Sequence, residues 1–341
     1  MSQGTQITAD SYNRLPYEIG AHPETHMNRL WPVSKLLSIE TSAPERARYL
    51  EIGCSLGYNI CAQACEFPNS NFIGIDISSQ HIKRANALRD QLKLSNVQFL
   101  CADVADLNIG DVLGQQKFDY IVTHGVFSWV PLEASEGILR VSKDFLAPHG
   151  LVYISYNCYP GWIGGTYLRN YLISNDNPNL NLDERHAWLI KKAEKFHEDL
   201  QQKSTSLAKL VKPFVELFKK GAKHYVMHEY LEPFHQPVHY NEFTQRLSKH
   251  HLKVACHYTM EDIEIAPSMV KGLDHLPDLE QRLGEYQYQQ DLLSSNMFRM
   301  SLITHKDQQI IRDKNHFLQN VARFHYYSHL KSETKEDGEI S

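Results

Sequence analysis

Between residues 47 and 157 the chain alternates two patterns. Short, continuously apolar runs predict buried strands, and longer runs with apolar positions every three or four residues predict amphipathic helices. The predicted strands are Arg48–Ile52, Asn71–Asp76, Val97–Cys101, Phe118–Thr123 and Leu151–Tyr156. Helices are expected over Tyr58–Cys65, after a capping Ser78, and over Leu132–Phe145 before Pro148-His149-Gly150. The middle helix carries its apolar face at Ile82, Ala85, Leu88 and Leu92. Strands alternating with helices build a parallel sheet covered on both faces, and continuous apolar strands suit that burial.

From Pro160 to about His250 the pattern is helical only. Leu189, Ala193, Phe196 and Leu200 make one stripe; Leu207, Leu210, Val211, Phe214, Leu217 and Phe218 make another, stopping at Gly221. Strand-like runs return at Leu252–Tyr258 and Met297–His305, around a helix near Leu279–Leu293. The expectation is one α/β domain, 1–157 and 251–308, split by a helical insertion, 158–250, between strands five and six. Residues 309–341 are expected to form a C-terminal helix and a disordered, charged tail.

The turn after the first strand reads Glu51-Ile-Gly53-Cys-Ser55-Leu-Gly57-Tyr-Asn59. Open α/β sheets bind ligands outside the carboxyl ends of such strands. A glycine-containing turn by itself suits NAD, FAD, S-adenosylmethionine or no ligand at all. Asp76 ends the second strand, 25 residues after Glu51, where an acid accepts ribose hydroxyls. Asp103, followed by Val104, comes after the third strand, within reach of an adenine amino group. The turn opens on a carboxylate and lacks G-x-G-x-x-G, which suits a ligand with cationic groups and no pyrophosphate. S-adenosylmethionine is that ligand.

The set Glu51…Gly57, Gly74-Ile75-Asp76, Ala102-Asp103, Phe118-Asp119-Tyr120-Ile121 and Leu146-Ala147-Pro148-His149-Gly150 resembles the class I S-adenosylmethionine-dependent methyltransferases. More specific segments are Tyr12…Pro16-Tyr17…His22-Pro23, His124-Gly-Val-Phe-Ser-Trp-Val-Pro131, Ser155-Tyr-Asn-Cys-Tyr-Pro-Gly-Trp162, His228-Glu-Tyr-Leu-Glu232 and Tyr240-Asn-Glu-Phe243. With them the chain resembles bacterial methyltransferases that carry a methyltransferase regulatory domain, some of which methylate lysines of bacterial surface proteins. The resemblance covers about residues 10–305. It implies a Rossmann-like seven-stranded sheet with an antiparallel last strand. It places Glu51, Gly53, Ser55, Gly57, Asn59, Asp76, Ile77, Asp103, Val104, His124 and Gly125 at the cofactor. Ser55 stands where that family usually has glycine, and larger members continue into a further C-terminal domain.

Methyl transfer is an in-line displacement at an already activated carbon, so positioning dominates and no triad is required. His124 is a candidate proton acceptor on the lip after the fourth strand. Trp129 and Tyr156, with Tyr12 and Tyr17 folding over, are candidate walls around a methylated ammonium. Asn157 is a candidate for orienting an acceptor amine. The lip lacks [DN]-P-P-[YF], which speaks against planar amide or exocyclic amine nitrogens as acceptors. A protein lysine amine is the expected acceptor; a small-molecule acceptor and a non-catalytic cofactor-binding regulatory module are the alternatives.

Composition narrows the partners. Of 341 residues, 35 are Lys or Arg and 40 Asp or Glu, for a net charge of −5, so no global attraction to nucleic acid is expected. The insertion carries 13 basic against 10 acidic residues and is slightly basic on a more acidic body. Lys209, Lys212, Lys219, Lys220 and Lys223 would meet an acidic partner or form a solvated face. A homodimer contact through the insertion is a further expectation. No apolar run approaches membrane-helix length, and the N-terminal residues lack a leader pattern, so a cytoplasmic protein is expected. Six scattered cysteines predict reduced, buried thiols, and no residue set predicts a metal site. His81, His250, His251 and His316 are expected on the surface.

Overall fold

The computed structural model of the chain describes residues 2–14, 20–258, 273, 275–276, 278–312 and 314–321. It begins with α1 (Gln3–Arg14) and α2 (Met27–Leu36). Then β1 (Arg48–Ile52), α3 (Tyr58–Glu66), β2 (Asn71–Asp76), α4 (Ser79–Gln91) and β3 (Val97–Cys101) alternate. A short α5 (Ile109–Leu113), β4 (Phe118–Thr123), α6 (Leu132–Phe145) and β5 (Leu146–Asn157) follow. The insertion is α7 (Ile163–Ser174), α8 (Leu182–Gln202), α9 (Leu207–Lys220), α10 (Lys223–Leu231) and α11 (Tyr240–Lys249). β6 (Leu252–His257), α12 (Leu279–Ser294), β7 (Phe298–His305) and α13 (Lys314–Val321) complete it.

The seven strands lie in the order β3-β2-β1-β4-β5-β7-β6. β1 to β5 are parallel, and β7 is antiparallel to both β5 and β6. This is the expected seven-stranded sheet, with the helical segment between β5 and β6. Strand alternation divides the core in two. Tyr49, Phe72, Tyr120 and Tyr153 face α2, α3 and α4 in one cluster. Leu50, Ile73, Ile121, Val152 and Ile154 pack against α6 and α11 in the other. The insertion has its own core of Trp162, Leu172, Phe214, Phe218 and Tyr230.

Several local expectations change. β5 starts at Leu146, five residues early, because Leu146 pairs with Phe118 before a register shift. In α9 the buried side chains are Ala208, Val211, Phe214, Val215 and Phe218, whereas Leu210 and Leu217 are exposed. Three lysines of the basic cluster pair within the chain: Lys219 with Glu194 at 2.8 Å, Lys220 with Glu216 at 3.8 Å, and Lys223 with Asp183. Cys65 and Cys101 are exposed, while Cys54, Cys61, Cys158 and Cys256 are buried. His250 is half-buried on Glu136 at 2.7 Å, and His81 is buried. The expected tail lies outside the described residues after α13, and so does the His316 side chain. Among the described residues no helix is long and apolar enough to cross a membrane.

The order of strands reverses between β1 and β4, which opens a crevice beyond their carboxyl ends. One wall depends on Gly137 of α6, where a Cβ would overlap the Val104 carbonyl. The neighbouring Arg140 guanidinium donates to that same carbonyl at 3.1 Å. Because backbone is the obstacle, Gly137→Ala should destabilise the fold by about 1–3 kcal/mol. Urea denaturation reads this directly, and an unchanged midpoint would show that the wall yields freely.

Candidate active site

The β1 turn is built by its backbone. Gly53 and Cys54 N–H donate to the Ile75 carbonyl at 2.8 and 3.1 Å, tying the turn to β2. Gly53 has φ +77°, and a Cβ on it would meet the Val126 side chain. Gly57 has φ +78° at the start of α3, packed against Phe99 and Ala85. Both positions require glycine for conformation and space. Ser55 holds φ 47° and donates its N–H to Asp76 Oδ2 at 2.9 Å.

A cavity open to solvent lies above this turn. Of the expected cofactor residues, Glu51, Gly53, Ser55, Asn59, Asp76, Ile77, Asp103, Val104, His124 and Gly125 all line it. Gly57 does not, and shapes the turn from behind. Trp129 also lines the cavity. No lysine or arginine does among the described residues, so nothing described there neutralises a pyrophosphate.

Three carboxylates set the electrostatics. Glu51 is 4% exposed; Oε1 accepts from Asn59 Nδ2 at 2.9 Å, while Oε2 is buried without a protein partner. Burial pushes its carboxyl up to about 8; the Asn59 bond opposes this and the nearby Asp76 charge adds to it. Asn59 is fixed by His22 N–H at 2.8 Å and by Thr25. Asp76 accepts from Ser55 N, from Ser78 N at 2.8 Å and from His81 Nδ1 at 3.2 Å. Asp103 Oδ1 accepts from Ala105 N at 2.9 Å, and its Oδ2 is buried without a protein partner.

The described residues that line the opposite rim include no carboxylate, lysine or arginine. His124 stacks on His22 with ring centroids 4.1 Å apart, and its Nδ1 lies 2.9 Å from the Tyr153 hydroxyl. Burial, reinforced by His22, lowers its imidazole to about 3. Gly125 N–H donates to Ser155 Oγ at 2.8 Å. Trp129 stacks on His235 at 4.4 Å, with the Arg169 guanidinium 5.8 Å from its ring centre. Among the described residues, no group of three or more His, Cys, Asp or Glu is placed to hold a metal ion.

Tyr156 and Asn157 are not brought to this wall. Tyr156 is fully buried and stacks on Phe243 of α11 at 4.1 Å. Asn157 Nδ2 lies 3.0 Å from His235 Nε2, and its backbone N–H donates to Ser128. Tyr17 lies outside the described residues.

Thr5, Thr8 and His81 also line the cavity, although the sequence marked none of them for it. Thr5 and Thr8 of α1 join Tyr12 in covering the cavity. Their spacing, i, i+3 and i+7, is a helix-face signal in a stretch with little other periodicity. His81 is buried beside Asp76. The stripe Ala85 and Leu88 extends back one turn to His81, which was the available signal.

A raised folded-state carboxyl has a signed consequence. The unfolded chain ionises Glu51 near the ordinary glutamate value of 4.5, whereas the free folded protein holds its proton to about 8. Folding stability from this group is therefore complete below 4.5 and is lost as pH rises to about 8. Glu51→Gln cannot titrate and should gain stability relative to wild type across that window. Parallel melting-temperature profiles for the two proteins would remove the carboxyl from this role.

Residues 44–230 match the family model described as a methyltransferase domain. Residues 222–305 match a second, described as a predicted methyltransferase regulatory domain, which takes in the last two strands as well as the end of the insertion. The chain is 30% identical over 312 residues to the uncharacterized protein RP789 of Rickettsia prowazekii, covering 92% of this chain and 56% of that one. RP028 of the same organism is 31% identical over 245 residues, 72% of this chain and 96% of RP028. The fold is similar to that of PKMT2 from Rickettsia typhi, solved in complex with AdoHcy. That likeness has a TM-score of 0.74 at 25% identity over 87% of this chain and 56% of that chain. The chain thus spans little more than half the length of RP789 and of PKMT2. With more than half of its residues inside the first family match and nearly all of the remaining sheet inside the second, the chain belongs to the methyltransferase-domain family and carries the accompanying regulatory domain.

Proposed function

We propose that the chain is an S-adenosylmethionine-dependent methyltransferase whose acceptor is a protein lysine amine. The observation that carries the reading is the placement of Glu51, Asp76 and Asp103 around one cavity with no lysine or arginine among its described lining residues. That donor set fits a nucleoside joined to a cationic amino acid. Glu51 would hold the α-amino group, Asp76 the ribose, and Asp103 Oδ2 the adenine amino group. The AdoHcy bound in PKMT2 supports the same ligand class. The lysine acceptor rests on the resemblance to surface-protein methyltransferases.

When bound, S-adenosylmethionine supplies a methyl carbon whose bond to sulfur breaks as the acceptor nitrogen's lone pair attacks it. The protein's part is orientation and exclusion of water. The acceptor amine must arrive neutral, and the opposite rim favours that form by withholding solvent. His124, held neutral with its Nδ1 at Tyr153, is a positioning wall in this account and a poor proton acceptor. The methylated ammonium loses its proton to water on leaving. Trp129 walls the acceptor end; its faces already carry His235 and Arg169, so it offers an edge where the sequence suggested an open aromatic cage.

With labelled S-adenosylmethionine and a cell extract, label should enter the macromolecular fraction, with +14 mass steps mapping to lysines. Label confined to small molecules would replace the acceptor class, and cofactor binding without any turnover would leave a binding module. Trp129→Phe should lower kcat by about tenfold through misplacement while leaving affinity for S-adenosylhomocysteine within about twofold. Unaltered kinetics would return Trp129 to a packing role.

A further inference from the structure

Asp76 has less capacity than the ribose assignment asks of it. A carboxylate offers about four lone-pair sites. Oδ1 already accepts from Ser78 N at 2.8 Å and stands 3.2 Å from His81 Nδ1; Oδ2 accepts from Ser55 N at 2.9 Å. One site remains for a diol that brings two hydroxyls. His81, which lines the same cavity and contacts Asp76, offers another polar atom. Its imidazole is 2% exposed, lines the cavity and meets Tyr12 edge-on at 5.8 Å. Its Nε2 is buried with no partner in the protein. A buried polar atom without a partner is costly, which points to a ligand atom there.

The tautomer follows from the neighbours. A carboxylate only accepts, so the nitrogen facing Asp76 carries a proton, and Nε2 is the ring atom left for a hydroxyl, which can both donate and accept. The backbone fixes this arrangement, since Ser78 Oγ caps α4 by accepting from His81 N–H at 3.1 Å. Asp76 and Ser78 therefore orient the ring together.

We infer that His81 is a second ribose-binding residue, taking through Nε2 the hydroxyl that Asp76 cannot take. This deepens the proposed function and rests on its cofactor assignment. It makes the ribose contact a shared one, with each of two side chains reading one hydroxyl.

The test pairs ligand deletion with side-chain deletion. Calorimetry compares S-adenosylhomocysteine with its 2′-deoxy and 3′-deoxy analogues on wild type and on His81→Phe, which keeps an aromatic edge against Tyr12. In wild type each missing hydroxyl should weaken binding by about tenfold. In His81→Phe one of those two penalties should disappear and the other should persist. Both penalties persisting would overturn the inference. So would the loss of both, because His81 would then act only by holding Asp76. Should the variant fail to fold, ¹⁵N-histidine NMR of wild type gives the same answer. The His81 Nε2 resonance should move with S-adenosylhomocysteine and stay with the analogue lacking the hydroxyl it reads; no movement with the parent ligand would refute the contact. Wild type that binds none of the three ligands would instead sink the cofactor assignment beneath both proposals.

Discussion

Glu51 sits at the carboxyl end of β1 with one oxygen on Asn59 and the other buried without a protein partner. Such a group costs folding free energy unless it keeps its proton or meets a cation. The fold surrounds it with constraints that hold it in place regardless. Asn59 on α3 bonds it, and His22 and Thr25 hold Asn59, so the segment before α2 is tied to the first strand through this carboxyl. The left-handed Gly53 brings the turn close against Val126, leaving the cavity directly above. Destabilisation of the free protein and complementarity to a cationic ligand are thus two aspects of one buried carboxyl.

The remainder of the site divides by charge. Acids gather on the β1–β2–β3 side, where a nucleoside and its amino-acid tail would lie. The described lining on the β4–β5 side has no carboxylate, lysine or arginine, and carries stacked His22 and His124 and the Trp129–His235 pair. Helix α1 spans the two sides. Ser2 donates to Glu133 at 2.6 Å, Ser11 to Glu232 at 2.8 Å, and Asn13 accepts from Ser78. Tyr12 stacks on His228 of α10. The regulatory domain, which contains His228 and Glu232, is therefore in physical contact with the cover of the cofactor cavity.

The sheet was legible in the sequence because its strands are uninterrupted apolar runs bounded by polar turns. The acids were legible because each lies at or just past the carboxyl end of a strand. Tyr156 was misplaced by treating the end of β5 as rim; its parity with Val152 and Ile154 puts it on the core face beneath Phe243. His81 was misplaced because a histidine near a helix start looks solvated until Asp76 and Ser78 are known to meet it. The α9 stripe was drawn too wide, since only one flank of the apolar arc meets α7 and α8 and leaves Leu210 and Leu217 outside. Lys219 at the end of α9 and Lys223 at the start of α10 pair with α8, which no spacing within one helix reveals.

Glu51, protonated and buried in the free protein, should become ionised when a cationic amino group reaches it. Calorimetry of S-adenosylhomocysteine binding at pH 7, repeated in buffers of different ionisation enthalpy, counts the protons exchanged. With the free carboxyl at about 8, nearly one proton should be released per ligand bound. Binding with no net proton exchange would contradict it.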